Sequence, residues 1–271
     1  MLRRDMAVNR LSRTKALVRE GLPARLRVPA KYWHARLHQT LEPEMRLLRW
    51  LVPPGARAID VGGNYGAYAY ALHRLGARVE IFEPNPMCLA ALQAWAAGRP
   101  GVRVHGCALS AVDGSALLGI PVDRDGIEHD AAASIEPQDD GTRRIVDVAL
   151  RRLDSFGITD AALLKIDVEG HEAEVIEGAL ATIAASCPAI LIEIEQRHRS
   201  APIAAMFARI ESLGYRGFFL KDEVLVPVAG FRPALHQSLA ALGVAGGGYY
   251  NNFLFLARSR VAAGEYQALL A

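Results

Sequence analysis

The chain has 271 residues, a formal net charge of +2, and hydrophobic and charged fractions of 51% and 22%. That size and apolar content suit one large domain with a sizeable core. Its three cysteines, Cys88, Cys107 and Cys187, are widely spaced with no C-x-x-C pair, which argues against a disulfide scaffold or a zinc ribbon and for reduced thiols in a cytoplasmic setting. No stretch reaches the roughly 18 consecutive apolar residues of a membrane span, and the start lacks the order of a signal peptide. The expectation is a soluble protein.

Residues 1–36 carry ten Lys or Arg against only Asp5 and Glu20, so the basic character is local and the remainder is acidic. Such a start is a transit peptide, an arm for an acidic partner, or a surface helix. Leu11, Leu17, Val18, Leu22 and Leu26 among the charges favour the helix. Residues 31–52 hold Tyr32, Trp33, Leu37, Leu41, Met45, Leu48 and Leu51 at helical spacing and stop at Pro53-Pro54-Gly55, a helical preface to the main domain.

The core opens with a short apolar strand at 57–61 that ends in an acid and a glycine-rich turn, followed by a helix over 68–75 closed by Gly76. That junction directs backbone N–H groups and a helix dipole at one spot, as a polar ligand requires. A second strand at 78–83, a helix at 87–97 and a third strand at 102–109 follow, which implies parallel pairing with right-handed crossovers. The Asp-, Gly- and Pro-rich segment 113–145 interrupts this rhythm as a loop or small hairpin at the carboxyl side of the sheet, either a substrate cover or a plain surface loop. The string Leu163-Leu164-Lys165-Ile166-Asp167-Val168-Glu169-Gly170 reads as a buried strand with Asp167 and Glu169 on one face at its end, before a helix starting at His171. Strands at 189–195, 215–220 and 252–257 and a helix at 203–213 complete the pattern. The predicted organisation is an N-terminal helical extension (1–52), one α/β domain (53–260) and a C-terminal tail (261–271), with about seven strands in a mostly parallel sheet and helices on both faces.

Spacing sorts the possible ligands of the glycine turn. A phosphate-gripping loop needs a Gly-Lys pair that the turn lacks, and the dinucleotide fingerprint would put Asn64 and Ala67 where glycines belong. The form Asp60-Val61-Gly62-Gly63-Asn64-Tyr65-Gly66 is similar instead to the S-adenosylmethionine (SAM) loop of Rossmann-like methyltransferases. Together with Phe82-Glu83-Pro84-Asn85-Pro86 and Lys165-Ile166-Asp167-Val168-Glu169-Gly170-His171-Glu172, followed by Gly178-Ala179, it resembles the FkbM family of SAM-dependent methyltransferases over residues 57–220.

The resemblance implies a class I methyltransferase fold with SAM as cofactor. It makes Asp60, Gly62, Asn64 and Gly66 the loop contacts, with Asp60 serving the cofactor's amino-acid end, and gives Glu83 the ribose hydroxyls. It also implies a hydroxyl acceptor on a sugar, glycan or natural product. A hydroxyl is a poor nucleophile until its proton is removed, so Asp167, Glu169 and His171 are the candidate catalytic residues. They act as a general base or as holders of a divalent metal, unless their role is structural; no metal ligand set is assigned. Ser134 is a further substrate-side candidate. A nucleic-acid methyltransferase is disfavoured because no polar-Pro-Pro-aromatic turn follows the fourth strand and Cys187-Pro188 reverses the order needed for cytosine methylation. A SAM-binding regulatory protein without turnover is the other alternative.

Overall fold

A computed structural model describes residues 21–123, 128, 133–136, 142–238, 240–241 and 248–270. The basic stretch up to residue 20, with Leu11, Leu17 and Val18, lies outside the described residues.

The preface begins earlier than its sequence pattern suggests, with helix α1 (Ala24–Leu37), then a 3-10 turn (Pro43–Leu47) and helix α2 (Leu48–Leu51). The domain continues through β1 (Arg57–Val61), α3 (Ala67–Arg74), β2 (Arg78–Phe82), α4 (Pro86–Ala96), β3 (Val102–His105) and β4 (Ala108–Leu109). Next come β5 (Gly114–Pro121), β6 (Arg143–Arg151), β7 (Ala161–Ile166), α5 (Glu172–Glu177), α6 (Leu180–Ser186) and β8 (Ala189–Glu193). Helix α7 (Ile203–Ser212), β9 (Tyr215–Lys221), β10 (Val224–Pro227) and β11 (Asn252–Ala257) close the sheet.

Among the described residues the main sheet has eight strands in the order β10-β9-β11-β8-β7-β1-β2-β3, one more than the predicted seven. The addition is β10, which turns back antiparallel on β9 at the edge. From β3 to β8 every pairing is parallel, and β11 runs antiparallel between β8 and β9. The predicted third strand is in fact two: after His105 the chain leaves the main sheet, and Ala108–Leu109 pairs with β6 in a separate three-stranded sheet, order β4-β6-β5. The irregular segment is therefore built on an antiparallel hairpin, β5 with β6, whose inner face buries Leu118, Ile120 and Val148.

Strand alternation divides the interior. Ile59, Val61, Leu164, Ile166, Ile190 and Ile192 face one core with α5, α6 and α7, while Ala58, Leu163, Ala189 and Leu191 face the other, under α1, α3 and α4. Asp60, Lys165 and Glu193 continue this second set at the carboxyl ends of adjacent strands. The register pairs Asp60 with Lys165, and Lys165 with Leu191 two residues before Glu193. Period-two alternation in a parallel sheet thus gathers two acids and a lysine at one edge.

Candidate active site

The cavity at that edge has a volume of about 340 Å³, within the range of small-molecule sites. The β1–α3 turn, the end of β2, the end of β7, the β5 side of the hairpin and the preface all contribute to it.

The turn is built by close approach. Gly62 and Gly66 both have φ +75°, and a Cβ on Gly62 would lie 1.8 Å from the Asp167 carbonyl oxygen, so β1 and β7 meet here only because the side chain is missing. Asn64 also sits in the left-handed region, φ 46°, which Asn tolerates better than most residues. We expect Gly62→Ala to lower the unfolding free energy by about 3 kcal/mol from overpacking and backbone strain, read as a fall in the urea midpoint; an unchanged midpoint would mean the two strand ends separate freely.

One sequence expectation fails at this turn. Its backbone N–H groups do not converge on a ligand: Gly62 and Gly63 donate to the Phe82 carbonyl at 2.9 and 3.2 Å, Gly66 to Gly63 at 2.7 Å, Tyr65 to Asn64 Oδ1 at 2.6 Å, and Asn64 to Glu83 Oε2 at 2.6 Å. The Asn85 N–H donates to the other Glu83 oxygen at 2.7 Å. The loop therefore offers no cradle for phosphates. It fixes the Glu83 carboxylate instead, leaving lone pairs for a diol.

Asp60 is buried, and its Oδ2 has no hydrogen-bond partner. Burial pushes its pKa up to about 7; the nearby Lys165 opposes the rise and Asp167 adds to it. An orphaned carboxylate oxygen on a cavity wall suits a cationic ligand group, so these residues fit SAM: Asp60 for its ammonium and Glu83 for its ribose.

Lys165 projects from an otherwise apolar strand and is 1% exposed, with Nζ 3.6 Å from Asp167 Oδ2, 3.5 Å from Asn252 Oδ1 and 4.9 Å from the Tyr68 ring centre. Burial opposes its charge, but Asp167, Glu42, Glu193 and Asp60 outweigh that and hold its pKa above the ordinary lysine value. Burial raises the pKa of Asp167, with Lys165 pulling the other way. Glu193 lies well above the usual carboxylate range through burial and the charge of Asp167. Glu42, from the preface, accepts from the Tyr68 hydroxyl at 2.6 Å and from Asn252 Nδ2 at 3.1 Å. Oxygens of Glu42, Asp167 and Glu193 lie within 4.8 Å of one another, a spacing that suits a cation. The Lys165 ammonium already supplies one beside them.

The other two catalytic candidates are placed differently. Strand β7 stops at Ile166, so Glu169 does not share a strand face with Asp167; it sits at φ 50° with Oε2 3.2 Å from His198 Nδ1. Burial, then Asp167 and Glu195, push its pKa up to about 7. His171 has both ring nitrogens engaged, Nδ1 with Glu136 Oε1 at 2.6 Å and Nε2 with Ser110 Oγ at 3.0 Å. It bridges β4 and the hairpin segment in place of offering a free base. Ser134 lines the cavity, but its hydroxyl donates to the Glu169 carbonyl at 2.9 Å and accepts from the Glu136 N–H at 3.0 Å.

Sequence reasoning missed Glu42, Glu193 and Lys165 as parts of the site. Only Lys165 left a signal, a charge inside an apolar strand. Tyr65 and Tyr68 are buried and also line the cavity.

Among solved structures, the chain is similar to methyltransferase FkbM from Methylobacillus flagellatus (16% identity, TM-score 0.46, 93% of this chain and 60% of that one). It is also similar to a TehB-like SAM-dependent methyltransferase from Corynebacterium glutamicum (14%, TM-score 0.45, 84% and 96%). A third likeness is to a SAM-dependent methyltransferase from Geobacter sulfurreducens in complex with S-adenosyl-L-homocysteine (13%, TM-score 0.39, 80% and 90%). The chain spans about 60% of the Methylobacillus protein's length. No curated protein matches it significantly. The Methyltransferase FkbM domain matches residues 60–217, more than half of the sequence and a span that includes Asp60, Glu83, Asp167 and Glu193. The chain belongs to the FkbM methyltransferase domain family.

Proposed function

We propose that the chain is a SAM-dependent methyltransferase whose acceptor is a hydroxyl oxygen on a sugar, glycan or natural product. The observation that carries this reading is the adjacency, in one cavity, of Asp60 and Glu83, which suit the donor, and Asp167, a carboxylate of raised pKa beside a permanent cation. When bound, SAM supplies an electrophilic methyl group on its sulfonium. The chain supplies alignment and proton removal. Asp167 takes the acceptor's proton; its raised pKa makes it a better base than a surface carboxylate, and Lys165 keeps it ionised and oriented. Among the described residues, six carboxylates line the cavity, Glu42, Asp60, Glu83, Asp167, Glu169 and Glu193, which disfavours a phosphate-rich polymer as acceptor.

Calorimetry with S-adenosylhomocysteine tests the donor half. An ammonium binds the ionised form of Asp60, whose pKa is about 7, so affinity rises as pH climbs through that value. It should be about tenfold tighter at pH 8 than at pH 6. Asp60→Asn should flatten the profile, and Glu83→Ala should weaken binding about tenfold at every pH. Absence of binding to the parent protein would sink the methyltransferase reading. Transfer of labelled methyl to a panel of saccharides and polyols tests the acceptor half: the label should resist mild alkali, as an ether does. Label found only in amines or esters would replace the hydroxyl assignment.

A further inference from the structure

We infer that Lys31, on the preface helix and outside the matched family segment, binds the carboxylate of the donor's amino-acid end; this rests on the methyltransferase reading above. The donor's amino acid is a zwitterion. Asp60 suits its ammonium, but the carboxylate enters a cavity lined by six acids and must find a compensating positive group. The turn cannot provide one, because the N–H groups of Gly62, Gly63, Asn64, Tyr65 and Gly66 all donate within the protein.

Among the described residues, three side chains able to carry positive charge line the cavity, Lys31, Lys165 and His171. Lys165 is buried among Asp167, Glu42, Glu193 and Asp60, which consume its charge. His171 is held at both ring nitrogens. Lys31 pairs with no carboxylate among the described residues; its ammonium lies 5.5 Å from the centre of the Tyr65 ring, a weak cation–π contact that a carboxylate can share.

Its placement is built, not incidental. One turn earlier on α1, Val28 is fully buried and packs on the glycine turn, where a Cβ on Gly66 would lie 3.1 Å from Val28 Cγ1. Tyr32, the next residue after Lys31, is buried against the same core. This packing sets the rotation of α1 so that Lys31 overhangs the turn. The start of α3, Ala67 and Tyr68, lines the same cavity, with Asp60 bonded to the Ala69 N–H in its first turn.

The test compares S-adenosylhomocysteine with the analogue that keeps the amine and lacks the carboxylate, both titrated calorimetrically into the full chain. For the parent protein, the carboxylate should improve affinity about tenfold or more. Lys31→Gln should remove that advantage, weakening S-adenosylhomocysteine to the level of the analogue while leaving the analogue's affinity unchanged, and Lys31→Arg should restore most of it. The inference is overturned if Lys31→Gln leaves S-adenosylhomocysteine binding intact, or if it weakens both ligands equally, which would make Lys31 a packing residue. If neither ligand binds the parent protein, the methyltransferase reading falls and takes this inference with it.

Discussion

Asp167→Asn is expected to bind SAM within about threefold of the parent affinity and to lose at least about 100-fold in kcat. The asparagine keeps the shape of the side chain and removes the charge that would accept the acceptor's proton. Folding should survive, because Lys165 retains Glu42, Glu193 and Asp60 around it. Single-turnover methylation measured alongside calorimetry separates the two effects. A variant that binds SAM and methylates at the parent rate would make Asp167 a structural partner of Lys165 and nothing more. Glu193 would then be the next carboxylate to test, since its pKa is raised and it lies in the same cluster.

Lys165→Met is expected to cost about 3–5 kcal/mol of stability at pH 8, the range for removing one partner of a buried ion pair. That is a large part of the 5–15 kcal/mol typical of a folded domain. The cost should shrink toward pH 5.5. The carboxylates of Asp60, Asp167 and Glu193 already have folded-state pKa values above their unfolded ones, and removing the cation raises them further. Across the window between those values the folded form holds more protons than the unfolded form, so stability falls as pH rises. The parent should show the same slope more gently, because Lys165 counteracts it. Melting temperatures of parent and variant at pH 5.5 and 8 check this, and equal losses at both would mean that the acids are not the reason for the lysine.

The glycine turn was legible from sequence because its constraints are local: two glycines at positive φ and an acid at the end of an apolar strand are written within seven residues. Glu83 was legible for the same reason, as an acid closing the next strand before a Pro-Asn-Pro stop. Asp167, a catalytic candidate from sequence, lines the cavity, but β7 ends at Ile166, so the strand face expected to join it to Glu169 does not exist. Glu42 could not be read from its surroundings: it reaches the site through hydrogen bonds to Tyr68 and to Asn252, the latter 210 residues away. Lys31 and Glu193 likewise depend on how distant elements pack. His171 looked like a base because histidine titrates near neutrality, but sequence does not show that Ser110 and Glu136 hold both of its nitrogens. The eighth strand and the break after His105 escaped because edge pairing and departure from a sheet leave little trace in hydrophobic pattern.

The clasp formed by His171, Ser110, Glu136 and Ser134 makes one wall of the cavity depend on the turn that follows β7. It ties the hairpin segment to the residues just after β7 through side-chain and carbonyl contacts at two points, Glu136 on His171 and Ser134 on the Glu169 carbonyl. Residues 134 and 136 are thereby held to the segment that follows β7. A substitution at His171 would therefore loosen the Ser134 wall of the cavity along with its own turn, so a loss of rate there would report lost positioning and not a lost base.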